Sequence, residues 1–160
     1  ENADPEKQQE SLRAQMRLAE ELNLPMIIHS RQADKDTIKI LKEFPRVRCV
    51  IHCFSQDREY AEEILKMPQI NPKGGHIFSF SGTLTYPGAQ EIRKVAVMLS
   101  SDRICIETDC PYLPPQSKRG QRNEPYCIVE TARKLAEIRE LSFEEIAAFT
   151  TTNAERFFNM

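Results

Sequence analysis

Tryptophan is absent, and glycine is scarce: five glycines stand against ten prolines in 160 residues. That balance argues against a flexible low-complexity linker and for turns of defined shape. No apolar run approaches the roughly 20 residues that a membrane-crossing helix needs, and no secretory leader is visible. A strong charge of either sign is missing too. With a net charge of −2 no global basic field draws in nucleic acid, so affinity for phosphates has to come from a local patch. Cysteine pairing motifs are also lacking. The five cysteines (Cys49, Cys53, Cys105, Cys110, Cys127) are odd in number and form no CxxC pair. They read as reduced thiols packed as small hydrophobes, which places the chain in a cytoplasmic or nuclear compartment.

What is present is a set of apolar runs that end in polar chemistry. Ile104-Cys-Ile leads into Glu107, Thr108 and Asp109, and Pro111 stops the ladder. A carboxylate at the tip of a buried strand costs several kcal/mol unless a cation or hydrogen-bond donors meet it. Two other runs finish similarly: Pro25-Met-Ile-Ile in His29, Ser30 and Arg31, and Arg48-Cys-Val-Ile in His52.

Between these runs lie helical patterns. Asp4-Pro5-Glu6 is a helix start, with Leu12, Met16, Ala19 and Leu22 at helical spacing. A second helix is expected over about 34–44, with Ile38, Leu41 and Phe44 on one face. Ser55 caps a third at about 57–66, and Pro87 opens a fourth with Ile92, Val95, Ala96 and Leu99 inward. A fifth spans about 124–139. Ser142-Phe-Glu-Glu145 is a capping box for a sixth, and 152–158 forms a last short turn. Strands are expected at 25–29, 47–53, 76–80 and 104–109. Strands alternating with helices at this spacing predict parallel βα units in one sheet. A doubly wound sheet and half of a (β/α)₈ barrel both satisfy the pattern, and both put ligands at the carboxyl ends of the strands.

His29, His52 and Asp109 therefore converge on one rim, and two histidines with a carboxylate suit a divalent metal such as Zn²⁺. A metal there turns water into a nucleophile near neutral pH. Glu107 shares strand parity with Asp109. It either orients a ligand or pairs with a buried arginine such as Arg48. His76 starts its strand and belongs to the far rim. Cys53 and Cys110 alternate away from the ligands, so a Cys–His nucleophile is a poor fit. The loop after Asp109 carries Lys118, Arg119 and Arg122, either as a solvated loop or as a phosphate clamp. Arg31 faces the same rim.

Five segments together carry a family resemblance. They are Leu24-Pro-Met-Ile-Ile-His-Ser-Arg31, Ile51-His-Cys-Phe54, Phe78-Ser-Phe-Ser-Gly82, Glu107-Thr-Asp-Cys-Pro-Tyr-Leu113 and Arg119-Gly-Gln-Arg-Asn-Glu-Pro125. In order and spacing they resemble the TatD-type metal-dependent deoxyribonucleases, from the first helix to the C-terminus. The resemblance implies α/β architecture: parallel βα units forming the C-terminal half (strands five to eight) of a metal-dependent-hydrolase (β/α)₈ TIM barrel. It implies hydrolysis of DNA phosphodiester bonds, with exonuclease activity in some members, and one or two divalent ions, Zn or Mg/Mn. It makes His29, His52 and Asp109 metal ligands, with Asp109 also the proton acceptor for the attacking water. The family's His-x-His pair and its Gly-Glu-Ile-Gly-Leu-Asp strand have no counterpart here. Residues 1–160 are thus expected to be one domain lacking the N-terminal part of the barrel, weak or inactive as a nuclease alone. The residues around Asn71–Gly75 look inserted relative to the family's short turn. Competing readings are a hydrolase of a small ester or amide on the same fold, and a non-catalytic half-barrel module whose open edges invite pairing.

Overall fold

The computed structural model describes residues 4–68 and 74–160; most of the expected insertion around Asn71 lies outside them. Four short parallel strands form one sheet in the order β1-β2-β3-β4: β1 Met26–Ile28, β2 Cys49–Ile51, β3 Ile77–Phe80 and β4 Ile104–Ile106. The ladder sets Met26 beside Cys49, Val50 beside Ile77 and Phe78 beside Ile104. Each strand is shorter than the span expected for it.

Helices intervene: α1 Pro5–Leu22, α2 Asp34–Glu43, α3 Arg58–Leu65, α4 Gln90–Met98, α5 Ile128–Arg139 and α6 Phe143–Phe158. The start of α1 is as the sequence reads, with Asp4 accepting from the Glu6 N–H at 2.8 Å and proline in the first turn. Four boundaries differ, the first being the start of α5, where a 3₁₀ turn over Pro125–Cys127 takes the opening residues of the helix expected over about 124–139. Asp57, not Ser55, caps α3, its carboxylate accepting from the Tyr60 N–H at 2.9 Å. Pro87 does not open α4. The chain first makes a 3₁₀ turn over Gly82–Thr85, held when Arg93 donates to the carbonyls of Leu84 (3.0 Å) and Tyr86 (2.7 Å), and α4 begins at Gln90. The expected last turn at 152–158 is the end of one continuous α6, whose Ser142–Glu145 capping box is present.

Strand parity splits the apolar residues into two sets. Ile28, Cys49, Ile51, Phe78, Phe80 and Ile104 face the helices and join the main core with Met16, Leu41, Ile64, Val95 and Leu135. Val50, Ile77 and Cys105 face the other way, where, among the described residues, Ala154 and Phe157 of α6 pack against them. Ile27, on this second face, is 58 % exposed. A sheet with bulky cover on one face and a partly open second face is what positions the site.

Candidate metal centre

The rim residues are held by backbone before any side chain acts. The His52 N–H donates to the Ile28 carbonyl at 3.0 Å, and the Glu107 N–H to the Phe80 carbonyl at 2.9 Å, one step beyond the strands. Parity then aims both side chains to the open face. The chain turns sharply at Asp109, where φ is +57°, a left-handed conformation that aspartate tolerates better than most residues.

These three residues meet. His52 Nδ1 lies 2.9 Å from Glu107 Oε2, and His52 Nε2 lies 3.1 Å from Asp109 Oδ1. One potential ligand atom from each lies within 4.8 Å of the others, and all three residues are half-buried. A neutral imidazole has one N–H, so it cannot donate to both carboxylates. Glu107 Oε1 is buried and lies at the same 2.9 Å from Nδ1, so both carboxylate oxygens share one N–H and neither has a donor of its own to spare. Both facts fit a cation between the ring and the carboxylates. In the fitting assignment Nδ1–H donates to Glu107, which orients the ring, while Nε2 and Asp109 Oδ1 face the ion. The donor set of nitrogen and oxygen suits Zn²⁺ or Mn²⁺.

His29 stands beside this group and outside its 4.8 Å circle. It is exposed, with its ring centroid 5.9 Å from that of His52. Glu107 does not pair with Arg48, which lies at the start of β2 against the Phe157 ring. His76 is at the far rim as expected. Buried, it accepts the Cys49 N–H at 3.1 Å, and burial followed by the Arg103 charge pulls its pKa down to about 4. Burial pushes the Cys53 thiol up to about 11, and its hydrogen bond to Ser81 offsets only part of that rise. Cys53 is therefore no thiolate nucleophile. A cavity of about 440 Å³ opens from the cluster along the uncovered sheet face, between Val50 and Cys105 on one side and Phe158 on the other.

The loop after Asp109 is pinned at many points. The Tyr86 hydroxyl donates to the Pro114 carbonyl at 2.8 Å, and the Gln116 N–H to Thr85 Oγ1 at 2.7 Å. A Cβ on Gly82 would lie 2.9 Å from the Leu113 carbonyl oxygen and the Pro115 nitrogen, so only glycine allows this approach. Of the basic residues, Arg119 lies over the Tyr86 ring at 4.6 Å and Lys118 over the Tyr126 ring at 5.5 Å. Arg122 pairs with Glu124 at 3.2 Å. Arg31 is exposed beyond His29.

One residue that sequence reasoning passed over is Asn123. Only 1 % exposed, it donates through Nδ2 to the carbonyls of Thr108 (2.5 Å) and Tyr112 (2.6 Å), and its N–H donates to Pro111. It clamps both sides of the Asp109 turn. A buried asparagine inside a charged loop leaves no periodic signal to find.

Parallel βα units with a histidine–carboxylate cluster at the carboxyl ends of the strands make a rim whose donor set suits a divalent metal. The chain belongs to the TatD-related DNase family, whose model matches residues 1–159. It is 43 % identical over 155 residues to the uncharacterized metal-dependent hydrolase YabD of Bacillus subtilis, covering 96 % of this chain and 58 % of that one. It is 34 % identical over 165 residues to the protein named 3'-5' ssDNA/RNA exonuclease TatD in Erwinia tasmaniensis, covering 99 % of this chain and 61 % of the relative. The crystal structure of YJJV, a TatD homolog from Escherichia coli K12, superposes with a TM-score of 0.86 at 32 % identity, covering 97 % of this chain and 57 % of that one. The chain thus spans about three fifths of the length of these relatives. Among the described residues no helix is long and apolar enough to cross a membrane.

Proposed function

We propose that this chain contributes strands five to eight of a TatD-type (β/α)₈ barrel that hydrolyses phosphodiester bonds in DNA. The observation that carries the reading is the meeting of His52, Glu107 and Asp109. The unbroken strand order supports a barrel sector over a doubly wound sheet, in which the order would reverse at a switch point. His52 and Asp109 hold the metal, with His29 adjacent to close the set from β1. A divalent metal at this rim supplies Lewis acidity, lowering the pKa of water and offsetting phosphodiester charge. Asp109 takes the proton from the attacking water, and Glu107 keeps the imidazole turned. Arg31, Arg119 and Arg122 bind the phosphates flanking the scissile bond. The name of the Erwinia relative supports exonuclease action on single strands.

The test pairs two forms of the protein. The 160-residue chain alone is expected to bind Zn²⁺ or Mn²⁺ weakly through His52 and Asp109, and to be a poor nuclease on single- and double-stranded DNA. Joined to the remaining segment of the Bacillus relative, it is expected to release nucleotides when Mg²⁺, Mn²⁺ or Zn²⁺ is added. A joined protein that ignores DNA but cleaves small esters would replace the nuclease reading. Full turnover by the short chain would remove the need for ligands from elsewhere.

A second prediction concerns the loop. Arg119→Ala with Arg122→Ala in the joined protein is expected to weaken DNA binding and leave metal affinity unchanged. For every phosphate that the protein no longer neutralises, the plot of log K against log salt flattens by about 0.7–0.9. An unchanged slope assigns both arginines to a solvated loop.

A further inference from the structure

The geometry points to a second site at the opposite end of the sheet: a pocket for one small tetrahedral oxyanion of the phosphate class, built on Arg48, Arg103 and Arg156. Arg48 immediately precedes β2, four residues before His52, so the two sites lie roughly 13 Å apart along the strand. Its side chain is on the same face as Val50.

Arg48 is only 3 % exposed, and its guanidinium lies 4.8 Å from the centre of the Phe157 ring. Its Nη1 is buried without any hydrogen-bond partner. Arginine does not discharge on burial. The buried Nη1 therefore stays unsatisfied until an anion reaches it. Arg48 lines a small cavity of about 70 Å³ together with Arg103 and Arg156. That volume exceeds the about 30 Å³ share of one water molecule. It has room for a compact ion.

The other two arginines are fixed in place. Arg103 Nη1 donates to the His76 carbonyl at 3.0 Å, and Arg156 Nη2 donates to the Asp102 carbonyl at 2.8 Å and to Asn153 Oδ1 at 3.1 Å. These bonds use a minority of the five N–H donors that each guanidinium carries. Asp102 is the one acid that lines the cavity among the described residues. Its carboxylate accepts from the Ser100 hydroxyl at 2.5 Å and sits 3.6 Å from Arg103 Nε. Among the described residues, three guanidinium groups against one carboxylate leave the lining net positive. Gly75 and Gly74, the latter at φ +105°, complete the wall without side chains. Ile77 and Phe157 keep one side dry, which strengthens a charge-assisted bond. The depressed pKa of neighbouring His76 reflects burial first and then the Arg103 charge.

The experiment titrates the 160-residue chain, stripped with EDTA and free of phosphate, with inorganic phosphate at constant ionic strength in chloride. Calorimetry and melting temperature are the readouts. Phosphate is expected to bind saturably and to raise the melting temperature beyond the chloride control. Arg48→Met keeps packing against Phe157 and removes the donor. It is expected to weaken phosphate binding about tenfold or more, while melting in chloride stays level or rises because the buried charge is gone. Arg156→Gln, on a partly exposed helix end, is expected to weaken it as well and serves if Arg48→Met does not fold. Arg119→Ala with Arg122→Ala is expected to leave it unchanged, which separates this pocket from the loop at the other rim. Non-saturable binding, or equal binding by the wild type and both pocket variants, would overturn the assignment. Acetate binding as tightly as phosphate would overturn it too, giving the pocket to a carboxylate.

Discussion

Asp109→Asn in the joined, full-length protein is expected to abolish DNA hydrolysis while the fold survives. Survival follows from the backbone: Asp109 sits at φ +57°, and asparagine occupies the left-handed region as readily as aspartate. Its carbonyl keeps one oxygen near His52 Nε2, now 3.1 Å from Oδ1. What disappears is the negative charge that, in the proposed mechanism, holds a cation and takes a proton. General-base catalysis alone is worth about 10²–10⁴ in rate, and a lower metal occupancy multiplies that loss. The neighbours give graded controls. His52→Ala is expected to empty the metal site, because it is the residue both carboxylates face. Glu107→Gln is expected to lower occupancy less, since the amide still accepts the Nδ1–H. His29→Ala reports how far a ring outside the 4.8 Å group contributes. His76→Ala is expected to cost stability through the orphaned Cys49 N–H and to leave metal content alone. Elemental analysis and DNA turnover on all five variants decide the matter. Near-full activity in Asp109→Asn, or equal metal loss in His76→Ala and His52→Ala, would dismantle the rim assignment.

Phe54→Ala is expected to destabilise the chain by about 3–5 kcal/mol, the range for truncating a fully buried aromatic. Phe54 is 0 % exposed. Its ring meets Phe78 edge-on at 5.4 Å and Phe80 at 5.9 Å, with Tyr60 at 6.4 Å. Its N–H donates to the Ser79 carbonyl at 2.8 Å. It therefore ties the segment that leaves β2 to β3, two residues after His52. Denaturant unfolding should show a lower midpoint with an unchanged slope, and metal affinity should fall as His52 loosens. Phe54→Leu, which leaves a smaller void, should cost clearly less. A loss under about 1 kcal/mol for alanine would mean that the void collapses and the anchor is elsewhere.

Much of the site was legible because polarity changes abruptly at the strand ends. An apolar run that stops at a histidine or carboxylate marks both a strand and the rim it ends on; parity put Glu107 on the face of Asp109, and the shared direction of the strands brought His52 to the same rim. The choice between Glu107 orienting a ligand and Glu107 pairing with Arg48 was not legible. Parity put both residues on the same face, and only the register separates them by the height of the sheet. Asn123 and Gly82 escaped for another reason: their roles lie in contacts with distant segments, Asn123 with Thr108 and Tyr112 and Gly82 with Leu113 and Pro115. The helix boundaries missed where tertiary packing overrode local preference. The Thr150-Thr-Thr152 run is a weak helix former. Yet α6 continues through it, because the Thr150 hydroxyl donates to the Ile146 carbonyl at 2.7 Å and Asn153 and Phe157 are buried beyond it. Pro87 looked like a helix start because proline suits a first turn. The Gly82–Thr85 turn and the Arg93 bonds instead delay α4 until Gln90.

The strand order also bears on how the chain assembles. Each ladder joins neighbours in sequence, Met26 with Cys49, Val50 with Ile77 and Phe78 with Ile104, so every pairing closes a loop of about two dozen residues, a modest entropic step. Within these four strands nothing made early has to wait for a distant partner. On a ribosome, β1 and β2 can pair as soon as β2 has emerged, and each later βα unit adds to a template already in place. The second face of the sheet is the exception. Val50 and Ile77 stay uncovered until Ala154 and Phe157 are synthesised, so the last turns of α6 govern when the nascent sheet stops presenting a sticky surface to its neighbours.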